Sequence, residues 1–192
     1  MGRRVARLWV AAALWIAALG PAHAQAIWDP SALVRDMFPS ADHMVDLPVV
    51  VDAERSKLLR KEGGAWVPAA TYHLQAAYQA DVLLGYVIFD QQVGQHEPIS
   101  FAVQLDAKKV VLRQEVVTYR ERYGSGVTDA RFRSQFVGMT AADPITAGKD
   151  VQIVSGATYS SKAMAIGVKR AVLLAAMLPA PAAAPGAGAL AP

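Results

Sequence analysis

The chain has 192 residues, 54% of them hydrophobic and 18% charged, and it contains no cysteine. That is enough apolar matter for one packed domain with tails and excludes global disorder; the missing cysteines exclude disulfides, thiolate metal sites, iron–sulfur clusters and a thiol nucleophile. The formal charge of +3 comes from Arg3, Arg4 and Arg7 alone, because 19 basic residues less these three leaves 16, against 16 acidic ones, and such a neutral remainder gives little support for a nucleic-acid binder.

Arg3, Arg4 and Arg7 precede an unbroken apolar run from Leu8 to Leu19, and Ala22-His23-Ala24 follows Pro21. A positive segment, a short apolar stretch and a small-x-small pattern mark residues 1–24 as a secretory signal peptide. The run is shorter than the ~20 residues that a spanning helix needs. The expected compartment is therefore outside the cytoplasm, a bacterial periplasm. The folded domain is expected over 25–178. Residues 179–192 hold only Pro, Ala, Gly and Leu and read as a disordered tail.

Within the domain, Ser31 is placed to cap a short helix that Pro39 stops. Val45–Val51 reads as a strand. Asp52 caps a basic helix over Ala53–Lys61, ended by Gly63-Gly64. Ala70–Tyr78 and Val82–Phe89 read as strands joined near Gln79–Asp81, and Gln91–Pro98 as a polar loop. Ile99–Leu105 alternates apolar and small or polar residues, the pattern of a half-buried strand. With Val110–Tyr119 it forms an antiparallel hairpin. Asp129 caps a helix over Ala130–Val137, with Phe132 and Phe136 on one face. Asp150–Val154 is extended, and Ser160–Leu178 is a long helix, apolar apart from Lys162, Lys169 and Arg170. Strand runs flanked by helices, without βαβ alternation, give an α+β fold: a small antiparallel sheet packed against helices.

Ser155-Gly156-Ala157-Thr158-Tyr159-Ser160-Ser161 lies between the last extended piece and the long helix. Gly156 permits a tight turn and close backbone approach. The free N–H groups and positive dipole end of the helix attract an anion. A phosphate site satisfies this pattern; so does a simple N-cap by Thr158 or Ser160.

Read as a whole, Asp150-Val-Gln-Ile-Val-Ser155-Gly156-Ala157-Thr158-Tyr-Ser160-Ser161 resembles the flavinylation motif of the extracytoplasmic FMN-binding domain family. That family includes the G subunit of Rnf complexes, the C subunit of the sodium-translocating NADH:quinone oxidoreductase, and small single-domain secreted members, which this chain resembles most. The similarity runs over Gly85–Leu178. It implies FMN held covalently through a phosphodiester on Thr158, made by a flavin transferase that uses FAD as donor with a divalent metal. It implies electron transfer with a membrane-associated partner, rather than a stand-alone enzyme. The phosphate would then be held around Gly156–Ser161 by N–H groups, Ala157 included, and by the hydroxyls of Ser155, Ser160 and Ser161. The family's Asp six residues before the acceptor is Gln152 here, with Asp150 the nearest carboxylate.

Other residues are weaker candidates. In Tyr119-Arg120-Glu121-Arg122-Tyr123-Gly124, Tyr119 or Tyr123 offers a ring for stacking and Arg120 a charge for a reduced flavin; a solvated strand end accounts for them equally. Glu97, with His96, sits in a polar loop. His43, His73 and His96 share no metal-ligand spacing. Gly124-Ser125-Gly126 is not a nucleophile elbow. An alternative of another class stays open: a secreted binding or regulatory module holding a phosphate-bearing ligand reversibly at the helix N-terminus.

Overall fold

The structure, a computed structural model, describes residues 25–179. The signal peptide assigned to residues 1–24, and the tail beyond 179, lie outside the described residues. A six-stranded antiparallel sheet runs β1 (Gln25–Ala26), β6 (Val111–Tyr119), β5 (Pro98–Asp106), β4 (Val82–Val93), β3 (Ala70–Gln79), β2 (His43–Val51) in spatial order. Helix α4 (Thr158–Met177) lies on one face, over Leu74, Ile88, Phe101, Val103, Leu105 and Val116. Helix α1 (Pro30–Met37) covers the other, over Ala77, Val87, Ala102 and Val117. The α+β class and the long C-terminal helix expected from the sequence are present.

The two-sided cover corrects the reading of β5. It is buried on both faces, because small Ala102 admits α1 where Phe101, Val103 and Leu105 meet α4. Gln104 is also buried, and its amide donates to Met37 O at 2.7 Å, closing the end of α1. β4 runs on through Gln91, Gln92 and Val93, which pair with Ser100, Ile99 and Pro98, so the expected loop shrinks to four residues. Ladder hydrogen bonds to β5 outweigh the polar side chains there.

Helix starts differ in instructive ways. α1 is capped by Asp29, whose carboxylate accepts from Ala32 N at 2.8 Å, not by Ser31; Pro30 takes the first helical position, where its fixed φ and missing N–H cost nothing. Asp52 caps α2 (Ala53–Glu62) as expected, accepting from Arg55 N at 2.8 Å. The helix expected over 130–137 is α3 (Ala130–Arg133) followed by a 3₁₀ turn, and Asp129 makes no side-chain cap. The turn tightens because the chain must return to the edge of β6, where Gly138 N donates to Val111 O and Val111 N to Met139 O. Phe132 and Phe136 pack edge to face at 5.5 Å, both buried.

α4 is buried on almost every side, so Lys169 and Arg170 are used internally, while Lys162 stays exposed. Arg170 makes a two-pronged contact with Asp90 on β4, Nε to Oδ2 at 2.6 Å and Nη2 to Oδ1 at 2.5 Å. Lys169 donates to Ala141 O at 2.7 Å and Asp143 O at 2.6 Å. Gly167 admits the sheet: a Cβ there would lie 2.2 Å from Phe101 Cζ.

Candidate functional site

Three segments distant in sequence meet at the end of the sheet where β4 stops, β5 starts and β6 stops. The first is the turn Gly94–Glu97. Glu121, just past β6, accepts from His96 N at 2.6 Å and Glu97 N at 3.0 Å with the same oxygen. Gly94 is needed for this contact, since a Cβ would sit 2.6 Å from that oxygen. Partial burial pushes the Glu121 carboxyl up, but the backbone N–H groups of Glu97, His96 and Gln95 hold it below the usual carboxylate range.

The second and third segments lock through Tyr119. Its ring is buried, and its O–H donates to Tyr123 O at 2.6 Å. The phenol has one proton, so the Ser160 hydroxyl, 3.1 Å away, donates to the phenol oxygen. Burial raises the Tyr119 pKa, which keeps that donor in place. Gly124 turns at φ +85°, and a Cβ on it would stand 3.0 Å from Ser160 Oγ and 3.3 Å from Ala157 Cα. Gly126 approaches Val154 in the same way, its Cβ position 2.7 Å from Val154 Cγ1.

The Ser155–Ser161 segment thus divides into an inner and an outer set. Ala157, Ser160 and Ser161 are buried. The Ser161 hydroxyl accepts from Val154 N at 3.2 Å, and Ala157 N donates to Val154 O at 2.9 Å. Ser155, Gly156, Thr158 and Tyr159 are exposed. The helix begins two residues before the expected Ser160, with Thr158 as its first residue. Ala157 stands at the N-cap and no side chain caps the turn, so the simple N-cap by Thr158 or Ser160 does not apply. Gly156 has φ +74° and open space around its Cβ position.

The expected site residues therefore stand as follows. Thr158, Ser155 and Gly156 share an exposed rim at an uncapped helix start. Ser160 and Ser161 turn their hydroxyls inward to Tyr119 and Val154 N, because positions two and three beyond Thr158 fall on the face of α4 that meets the sheet. Tyr119 presents no ring to solvent, while Tyr123 is 74% exposed and Tyr159 is 59% exposed. Arg120 and Glu97 are half-buried beside the Glu121 clamp. Gln152 is exposed, its backbone N–H bonded to Gln135 Oε1 at 2.7 Å, and Asp150 accepts from Thr146 N at 3.1 Å. Sequence reasoning missed Glu121 as the residue joining two segments. The motif Tyr-Arg-Glu-Arg-Tyr contains it, but only the strand order brings it to the turn at 94–97.

A phosphate-bearing group suits this rim. The first-turn N–H groups of α4 have no side-chain cap, the backbone at Gly156 is open to close approach, and two exposed hydroxyls stand beside them. Residues 94–173 match the family model of the FMN-binding domain. That stretch contains all three segments of the site and leaves α1, α2, β2 and β3 outside it; it is narrower than the 85–178 expected from the motif. Among solved structures, the crystal structure of Shewanella oneidensis NqrC aligns at 17% identity over 74% of this chain and 88% of that chain, with a TM-score of 0.44. No curated protein matches the sequence. The matched stretch and the assembled rim coincide, so residues 94–173 carry both the similarity to the FMN-binding domain and the candidate site.

Proposed function

We propose that this protein is a periplasmic electron-transfer module carrying FMN through a phosphodiester on Thr158. One observation carries the reading: Thr158 is the exposed first residue of an uncapped helix, preceded by Ser155-Gly156-Ala157, inside the family segment. The bond would form between Thr158 Oγ1 and the FMN phosphorus. A flavin transferase would supply FMN from FAD, with AMP leaving and the hydroxyl proton released. Ser155 and the amides around Gly156–Ser160 would hold the phosphate. Arg120, near Glu97 and Glu121, would set the charge felt by the ring, and exposed Tyr123 and Tyr159 offer it aromatic faces. FMN supplies the redox chemistry when bound; the chain fixes its position and electrostatics. The partners of this reading are the transferase and a membrane-associated electron-transfer protein.

The test is export of the chain together with a flavin transferase, followed by denaturing electrophoresis and intact mass. Wild type should show flavin fluorescence that survives denaturation and the added mass of one FMN, on a chain starting at Gln25. Thr158→Ala should show neither. Flavin that leaves on denaturation would instead identify a reversible phosphate-ligand module, and a Thr158→Ala protein that keeps its fluorescence would refute the attachment point.

A further inference from the structure

The face of α2, far from Thr158, carries a second surface. Residues 53–62 hold Arg55, Lys57, Arg60 and Lys61 against Glu54 and Glu62, a local charge of +2 in a chain that is neutral beyond residue 24. Ser56 and Leu59 point inward: Ser56 is buried and its hydroxyl donates to Val67 O at 2.6 Å. That bond holds the return segment 63–67 along the helix. Ala65 and Val67 are buried in the core, so Trp66 between them is turned out, 62% exposed. Leu58 on the helix is 50% exposed. Arg55 reaches Val50 O at 3.0 Å, and the Lys57–Glu54 pair is open to water on both sides. Helix α2 and its return segment thus expose an indole, a leucine and four cations.

We propose that this face docks the protein on an anionic phospholipid surface. Tryptophan favours the headgroup layer, where its ring is apolar and its N–H wet. Exposed Leu58 adds apolar area, and lysine and arginine on a surface helix draw anionic headgroups. The sign of the patch selects an anionic surface. The helix would lie in the interface; no helix among the described residues is long and apolar enough to cross a membrane. The patch is also oriented. Gly63 packs against Leu173, its Cβ position 2.8 Å from Leu173 Cδ2, whereas Thr158 begins the same α4 helix. Fifteen residues of helix separate them by about 22 Å, so the Trp66 segment and the Thr158 rim belong to opposite ends of α4. This inference does not depend on the flavin.

The experiment uses the exported, processed protein and vesicles of phosphatidylcholine with or without about 30% phosphatidylglycerol. Trp28→Phe is the background, which leaves Trp66 as the tryptophan of the domain. Expected results are co-sedimentation with the anionic vesicles at low salt, loss of it at high salt, and a blue-shifted Trp66 emission on binding. Trp66→Ser, and separately Arg60→Glu/Lys61→Glu, should each weaken binding by about tenfold or more, with thermal midpoints unchanged as evidence of folding. Absence of binding by the parent, equal binding to neutral vesicles, or binding indifferent to both variants would overturn the proposal. So would a concentration-dependent dimer abolished by Trp66→Ser without lipid binding, which would make the face a contact between copies.

Discussion

Thr158 and Ser160 are two residues apart, yet one faces water and the other bonds the buried Tyr119 hydroxyl, which in turn donates to the Tyr123 carbonyl. The motif shows a run of hydroxyls; only the helix period and the position of β6 decide which are spent inside. Removing an inner hydroxyl should therefore act on stability. Tyr119→Phe and Ser160→Ala should each cost about 1 kcal/mol, measured by urea unfolding, and both should keep flavin attached in the export assay. Loss of attachment in Ser160→Ala with stability intact would return that serine to the binding set. At this scale the sequence shows the run of hydroxyls but not their exposure; Thr158, Gly156 and Ser155 sit on the exposed rim. Tyr119 was misjudged as a stacking ring because its strand end is covered by the return of the chain at Gly124–Gly126, a long-range contact with no local signal.

Elements were read more fully than contacts. Strand patterning, the Asp52 cap and the apolar run of α4 each have a local cause and appear in the structure. The ends of β4 and α3 shifted because pairing partners supplied hydrogen bonds that no local preference records. The approach of α4 to the sheet at Gly167 was invisible for the same reason, as was its anchoring by Arg170 and Asp90. Burial raises the Asp90 pKa despite the opposing pull of Arg170 and its hydrogen bonds, so the pair is expensive to desolvate and more expensive to break. Asp90→Ala should destabilise by about 3–5 kcal/mol, since it removes both acceptors of a buried guanidinium. Asp90→Leu/Arg170→Met should recover most of that loss in urea unfolding, because neither charge remains buried. A double variant as unstable as the single would show that the pair directs packing as well as satisfying charge.

At the scale of the whole molecule, two carboxylates respond to acid in opposite directions. The Glu121 pKa is depressed in the folded state, so its contribution is complete above the ordinary value of 4.5 and disappears as pH falls through the lower folded value. Asp90 is raised above its ordinary 3.8, so between that value and its folded one it favours folding as the pH drops. Acid should therefore loosen the site end of the sheet before it loosens α4. Hydrogen exchange below pH 4.5 should show early loss of protection at the His96 and Glu97 amides. Glu121→Gln should flatten that dependence. Early exchange in α4 instead would count against the clamp.

Lys169 has a consequence best seen in chemical labelling. Its amine is tied to two carbonyls, and burial lowers its pKa more than Asp143 restores it. A lower pKa means more neutral amine, which taken alone would make Lys169 the faster nucleophile toward an acylating reagent. Enclosure opposes this, because a reagent must reach a nitrogen whose residue is only 5% exposed. Enclosure wins, since an amine that is never met reacts at no rate however basic it is. Lys162, two turns earlier on the same helix, is exposed. Pulse acylation read by peptide mass should therefore mark Lys57, Lys61 and Lys162 early and Lys169 last. Lys169 should be marked only as fast as α4 lifts from the segment at 141–143, which makes one unlabelled lysine a clock for the helix that carries Thr158.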